Sequence, residues 1–439
     1  MTAPPPKKPL NIAIVGGGLA GIALTIGLLR HGITPHVYEA ASNFGEIGAG
    51  IAFGPNSVRA INLLSPEALA ALRKLSTSNQ DPAEANTYLT MRYGTDSRNG
   101  DGKKCGDLIL RLKPSKVVQD VSEIPGMNAM STVHRARLLD SWAKLVPEGI
   151  TSFGKRLTEV EILREGGVRL YFADGTTADA DAVIGCDGIR SQVRNSIFKT
   201  MGKNLGPKYV GEYAYRSLIS SDVAKEILGS ELAMNGNLWW GYGGYIINYP
   251  VEQGRLVNVV AVVGGEKMEW DHSEVIRTVD REKMYNDFKE WDPRLQRLLR
   301  EFKTADQWSL WDLIHDEPYN HGRVCLMGDA AHASTPHLGA GAGFAMEDAF
   351  VLSGLLATAT SSTDLDKVFE AFTTLRRERT QKLVVRSREA SKDYAFCGKG
   401  IEDDADKLVE SAKERFLWIW EIDLEEHLEE GKKRLLRGQ

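Results

Sequence analysis

Cysteine is scarce in this 439-residue chain: there are four, at Cys105, Cys186, Cys325 and Cys397, far apart and with no C-x-x-C pair. That spacing excludes a redox dithiol, a cysteine-built zinc site and a secreted disulfide framework. Cys186 and Cys325, at the ends of apolar strands, read as core packing. Long apolar runs are missing as well. The longest, residues 12–29, is broken by five glycines and reads as strand, turn and helix rather than a membrane span. The start, Met-Thr-Ala-Pro-Pro-Pro-Lys-Lys-Pro, lacks the apolar core of a signal peptide and reads as a flexible tail, so a cytosolic protein is expected. Neither sign of charge dominates. A net charge of −5 leaves no basic field for nucleic acid and no polybasic cluster for a membrane surface, which points to a small, soluble partner. No metal site is expected: His427 lacks a second histidine four residues on, where Gly431 stands, and reads as a solvated residue in an acidic helix.

What is present begins at Ile12. Ile12 to Val15 form a short apolar strand, and Gly16, Gly18 and Gly21 fill the G-x-G-x-x-G positions before a helix that reaches about Arg30. Gly16 permits the tight turn, Gly18 lets a pyrophosphate approach the backbone at the positive end of the helix, and Gly21 lets helix and strand pack closely. A second strand at Pro35 to Tyr38 delivers Glu39, placed to grip a ribose hydroxyl. This is an adenine dinucleotide site; the motif alone leaves NAD and FAD both open.

The glycine-rich segment from Phe44 to Ile51, which includes Gly50, leads to Pro55 and Asn56, then to a helix through Arg59 and Leu64. Residues 95–104 read as an exposed loop. Leu138, Leu139, Trp142 and Leu145 are spaced for the buried face of a helix, and two strands follow at Leu157 to Leu163 and Val168 to Phe172. Residues 213–263 are strand-rich and aromatic, a natural floor for an apolar ligand. Helix is expected to dominate from about residue 341, with Leu365 to Arg388 and then Ala405 to Leu436 alternating apolar and charged faces, and with Trp418 and Trp420 packing the terminal helix onto the body.

Two further motifs carry chemistry. Asp181 to Arg194 places Asp187-Gly188 at the end of a buried strand. Arg323 to Gly343 runs strand, Asp329, a loop holding Thr335-Pro336-His337, then Gly339, Gly341, Ala342 and Gly343 at the start of a helix. Three such motifs in this order make the chain resemble the group A flavoprotein monooxygenases, the FAD-dependent aromatic hydroxylases, over nearly its whole length. Within them it is most similar to salicylate hydroxylases and to fungal monooxygenases that dearomatise polyketide phenols, such as the 3-methylorcinaldehyde type. The matching points are Ala214-Tyr215-Arg216, Ile247-Asn248-Tyr249-Pro250, Thr335-Pro336-His337 and Trp418-Ile419-Trp420.

The resemblance implies an α/β fold: a Rossmann-like FAD-binding domain, discontinuous over residues 1–84, 116–206 and 322–362, a mostly antiparallel substrate-domain sheet over 85–115 and 207–321, and C-terminal helices over 363–439. It implies bound FAD with NADPH or NADH as co-substrate and no second Rossmann domain. Hydroxylation of a phenolic substrate with O2, by way of a flavin C4a-hydroperoxide, is the reaction it implies. Glu39 is assigned to the adenosine ribose, Arg135 to the dinucleotide and Asp329 to the ribityl chain, with Gly339, Gly341 and Gly343 exposing backbone N–H groups to the flavin. Asp187 is either a contact to FAD and nicotinamide or a plain helix cap. Arg216 and Tyr249 match the pair that holds a phenolate; the ordinary alternatives are a salt bridge on a sheet edge and a packed core tyrosine. His337 either shapes the flavin pocket or moves a proton, or else merely fixes its loop. Leu338 stands where many salicylate hydroxylases have glutamine. Two other functions fit the same fold, an epoxidase of a prenyl chain and a flavin-binding protein without oxygenase chemistry; the Arg216 and Tyr249 pair speaks against the first, since an alkene offers no anion to hold.

Overall fold

The computed structural model describes residues 10–45, 50–115, 124, 127–264, 269–270 and 274–437. The proline-rich start and residues 46–49 of the glycine-rich segment lie outside them. Ile12–Val15 is buried on both faces, the pattern of a central parallel strand. It pairs in parallel with Ala182–Gly185 on one side and His36–Tyr38 on the other. Val324–Leu326 and Thr151–Ser152 extend this sheet, again in parallel, and Asn320–His321 closes one edge antiparallel. The helix Leu19–Arg30 covers it, and Gly21 allows the approach: a Cβ there would stand 2.0 Å from the Gly16 carbonyl oxygen.

A second, eight-stranded sheet runs in the order Ile276–Val279, Ala305–Asp312, Lys208–Ser220, Leu256–Val263, Gly244–Val251, Asn237–Gly241, Leu89–Tyr93, Leu108–Leu112. All its pairs are antiparallel except Asn237–Gly241 with Leu89–Tyr93. Alternation divides its residues between two faces. Tyr213, Tyr215, Val257, Val259 and Ala261 join one core with helix residues Met284, Leu295 and Leu298. Ala214, Arg216, Tyr245, Ile247, Tyr249, Asn258 and Val260 look the other way, into a cavity.

The helix Gly341–Leu356 is apolar all round and buried, yet it carries two acids, Glu347 and Asp348, that are fully buried. Arg376, also fully buried, answers both: Nε donates to Asp348 Oδ1 at 2.8 Å and Nη2 to Glu347 Oε2 at 2.7 Å. Arg379 and Asn56 add bonds to Glu347, and His332 lies 2.6 Å from Asp348. Burial opposes ionisation of Glu347, but the two arginines outweigh it and hold its carboxyl down to about 2.

The C-terminal region departs from expectation twice. The helix from Leu365 runs on to Tyr394, and the helical stretch expected over 405–436 is two helices, Ala405–Trp420 and Leu424–Arg437. Asp423 starts the second, its Oδ1 accepting from the Glu426 N–H at 2.9 Å, a break that the acidic run disguised. His427 is therefore no solvated residue. It is half-buried beside the Arg376 cluster, its Nε2 has no hydrogen-bond partner, and burial, with Arg376 nearby, pulls its imidazole down to about 4. Trp420 does pack inward, against Tyr88 and Phe416, and its carbonyl accepts from Arg59. Among the described residues no helix is long and apolar enough to cross a membrane.

Candidate active site

A cavity of about 460 Å³ lies where the two sheets meet. Its wall on the nucleotide-binding side is Gly18 to Ala20, Gly50 to Ala52, Arg135, Cys186, Gly188, Asp329, the whole loop Ser334 to Ala342, Ala345 and Met346; the second sheet supplies most of the remainder. The sequence-expected residues Gly18, Gly50, Arg135, Arg216, Tyr249, Asp329, Pro336, His337, Gly339, Gly341 and Ala342 thus come together on one surface. Gly16, Gly21, Glu39, Asp187 and Gly343 stand behind it.

The residues behind the wall shape it. Gly16 has φ 105°, and a Cβ there would come 2.4 Å from the Cys186 carbonyl oxygen, so only glycine makes this turn. Glu39 accepts from the Gly17 N–H at 2.6 Å and the Ala41 N–H at 2.7 Å, which ties its carboxylate to the glycine turn. Asp187 caps the helix Gln192–Thr200, its Oδ2 accepting from Gln192 N–H at 2.7 Å and Val193 N–H at 3.1 Å; its Oδ1 is buried with no partner among the described residues, and its neighbours Cys186 and Gly188 line the cavity. Burial raises its carboxyl against those bonds. At Gly343 a Cβ would fall 1.9 Å from Ser57 Oγ on the adjoining helix, so its lack of a side chain serves helix packing.

Two helix starts open on the cavity without side-chain caps, at Gly18 and at Ala340. Their free N–H groups and positive dipole ends suit anionic or electron-rich ligand atoms. The exposed Asp329 lines the same cavity, and Gly339, at φ 59°, turns the chain just before the second helix start. A bare glycine cradle for a pyrophosphate, an anchored ribose acid and a further carboxylate for a polyol chain fit FAD.

On the sheet side, Arg216 is set in a central strand, not at a sheet edge. Its guanidinium carbon lies 3.6 Å from the ring centroid of Trp308, and no carboxylate among the described residues pairs with it. Burial lowers its pKa, with Arg135 adding to the effect and Tyr249 opposing it, yet an arginine remains cationic. Tyr249 is buried and its hydroxyl is pushed above the ordinary phenol range by that burial. It donates to the Gly50 carbonyl at 3.1 Å rather than into the open cavity.

His337 has both nitrogens turned to protein. Nδ1 lies 2.9 Å from the Tyr245 hydroxyl, and Nε2 lies 3.0 Å from Glu212 Oε2, at ion-pair distance though not aligned as a hydrogen bond. These two contacts anchor the loop at the cavity wall, as the loop-fixing alternative for His337 expects. Burial pushes Glu212 up, but His337 and the Ser391 hydroxyl, at 2.6 Å from Oε1, outweigh it and hold the carboxyl below its ordinary value. Sequence reasoning missed Glu212, Trp308 and Asn258. It also missed Asp348, which accepts from the Gly328 N–H at 3.1 Å and so fixes the turn before Asp329. The available signal was acids set inside an apolar helix pattern.

Comparison with known proteins agrees with this geometry. The model of the FAD binding domain family matches residues 10–387. A 6-methylsalicylate 1-monooxygenase of Aspergillus terreus is 38% identical over 421 residues, 95% of this chain and 90% of the relative. A salicylate hydroxylase of Pseudomonas putida is 35% identical over 444 residues, 98% of this chain and 96% of the relative. A solved salicylate hydroxylase substrate complex aligns with a TM-score of 0.83 at 30% identity, covering 96% of this chain and 98% of that one. Likeness of this breadth takes in both sheets, the loop between them and the long C-terminal helix, and the chain belongs to the FAD-dependent aromatic hydroxylases, flavoprotein monooxygenases built on this FAD binding domain.

Proposed function

We propose that this monooxygenase hydroxylates a small phenol, bound as its anion against Arg216. The observation that carries the reading is the Arg216 guanidinium itself, half-buried at the cavity, stacked on Trp308 and unanswered by any carboxylate among the described residues. An unneutralised cation in a poorly hydrated site favours the ionised ligand. Ionisation makes the ortho and para carbons of the ring electron-rich, which is what electrophilic oxygen transfer needs. FAD, when bound, supplies the redox chemistry, with NAD(P)H as electron donor and dioxygen as the source of the oxygen atom.

The chain's own contribution is binding, orientation and exclusion of water. Gly18, Glu39, Asp329 and the stretch Gly339 to Ala342 hold the cofactor. Tyr249, through its bond to Gly50, fastens the substrate sheet to the nucleotide side. The anchored His337 keeps the loop Ser334 to Ala342 in place over the cavity. Apolar side chains, among them Leu238, Ile247, Val260, Leu310 and Leu338, line much of the rest and keep water from the reacting centre. A cytosolic enzyme is in keeping with four cysteines scattered along the sequence with no C-x-x-C pair.

The test is consumption of NADH and NADPH by the FAD-loaded protein, with and without a panel of phenols that includes salicylate and an orcinaldehyde-type phenol, under labelled dioxygen. Expected is phenol-stimulated consumption and a product carrying one labelled oxygen atom. Consumption that no phenol stimulates, with no labelled product, would overturn the reading.

A further inference from the structure

The strand Leu256–Val263 reads Leu-Val-Asn-Val-Val-Ala-Val-Val, and its one polar residue, Asn258, is turned toward the cavity. Asn258 is 3% exposed, and its carboxamide makes no hydrogen bond to any described residue. Its amide atoms are not among the fully buried ones that lack a partner, so two donors and an acceptor face the cavity space, open to what enters it. Its strand neighbours on this face, Leu256 and Val260, have nothing to offer it. The partner has to come from what enters the cavity.

The register fixes where that partner sits. Asn258 is directly opposite Tyr249 on one side and Leu218 on the other, and Arg216 is opposite Val260, one row along the same face. Residues related diagonally in this way have Cα atoms roughly 7–8 Å apart, near enough for two long polar side chains to reach one small ring. The Tyr249 hydroxyl is already bonded to Gly50, whereas Asn258 is a neutral polar group beside the Arg216 cation that no described residue engages.

From this we infer that Asn258 is a specificity-determining residue which hydrogen-bonds a second, uncharged oxygen substituent of the substrate, a ring carbonyl or hydroxyl, while Arg216 holds the anionic one. The inference rests on the phenol reading above and narrows it to phenols carrying two oxygen substituents. A carboxamide suits a neutral group because it can donate to a carbonyl or both donate to and accept from a hydroxyl, whereas the face supplies a cation for one anion.

The experiment is titration of the oxidised, FAD-loaded enzyme, followed by the flavin absorbance change, with two matched pairs: 2-hydroxybenzaldehyde against 2-methylphenol, and resorcinol against 3-methylphenol. In the wild type the oxygenated member of at least one pair should bind more tightly. Asn258→Leu should weaken that member about three- to tenfold, the range for loss of one neutral hydrogen bond, and leave its methyl partner unchanged. Arg216→Gln should weaken both members. Asn258→Asp, nearly the same shape, serves if the leucine variant folds poorly, and should likewise weaken the oxygenated member selectively. Equal effects on both members of each pair, or none, in a variant with full FAD content would overturn the role of Asn258 while leaving the phenol reading standing. Failure of all four compounds to perturb the wild-type flavin would overturn the phenol reading and this inference with it.

Discussion

Arg216 lies over the indole of Trp308, its guanidinium carbon 3.6 Å from the ring centroid. The stack fixes the direction of a long side chain without neutralising it, because an aromatic face attracts the cation through its quadrupole and carries no net charge. A carboxylate in the same place would orient the arginine equally well and cancel the charge. Trp308 therefore does what a salt-bridge partner cannot, holding a cation at a cavity wall ready for an anion.

Arg216→Gln keeps a hydrogen-bond donor and loses the charge. If the cation serves the ligand, kcat/KM for the native phenol should fall about ten- to a hundredfold, the equivalent of one charge-assisted contact at roughly 1.5–3 kcal/mol. The melting temperature should hardly move, since no ion pair is broken. Steady-state kinetics and thermal unfolding on one preparation check this, and a destabilised protein with normal turnover per folded, FAD-loaded enzyme would assign Arg216 to structure.

The parts legible in the sequence are those set by local sterics. Gly16, Gly21 and the strand-helix unit they join follow from backbone geometry that few residues tolerate, so a short motif specifies them. The face of Lys208–Ser220 that carries Arg216 follows from the two-residue alternation of a strand. The partners of these residues were not legible. Trp308 reaches Arg216 only because Ala305–Asp312 pairs with Lys208–Ser220, and Glu212 reaches His337 only across the junction of sheet and loop. Gly343 adds a role that its place in a glycine series did not reveal: its lack of a side chain serves the packing of two helices.

That packing gives a second test. In Gly343→Ala the new methyl would sit 1.9 Å from Ser57 Oγ and 2.9 Å from Ser57 Cβ, so the helices Gly341–Leu356 and Pro55–Leu64 must part. Overpacking of this kind costs about 1–3 kcal/mol. Gly343→Ala should lower the melting temperature, and adding Ser57→Gly should recover much of the loss. A purely ligand-contacting Gly343 would instead lower FAD affinity in both the single and the double variant.

Arg376→Met removes the fully buried cation that Glu347 and Asp348 share. Glu347 keeps Arg379 and Asp348 keeps His332, but a buried charge is left short of a partner, a change that costs about 3–5 kcal/mol. Because Asp348 also holds the Gly328 N–H, FAD retention should fall together with stability. Denaturant unfolding followed by both far-UV signal and flavin release measures the two effects, and an unchanged midpoint would mean that the acids are neutral in the folded protein.

The last prediction follows from the depressed imidazole of His427, brought down to about 4 from its ordinary 6.5 first by burial and then by Arg376, with Arg379 adding to it and Glu347 and Glu430 opposing. Above pH 6.5 the residue is neutral in folded and unfolded chains alike and does not affect the pH dependence of stability. As pH falls from 6.5 toward 4 the unfolded chain binds the proton and the folded chain does not, so the equilibrium shifts toward unfolding. Below about 4 both forms are protonated and the loss attributable to His427 stops growing. The depressed carboxyl of Glu347 contributes over a lower window, since its stabilisation is present above the unfolded carboxylate value of 4.5 and is lost as pH falls toward about 2. The two groups are therefore separable. His427→Gln, in a helix that tolerates glutamine, should lose less melting temperature than the wild type between pH 7 and pH 5 and run parallel to it below pH 4. Parallel curves across the whole range would mean that the imidazole titrates normally and is solvated after all.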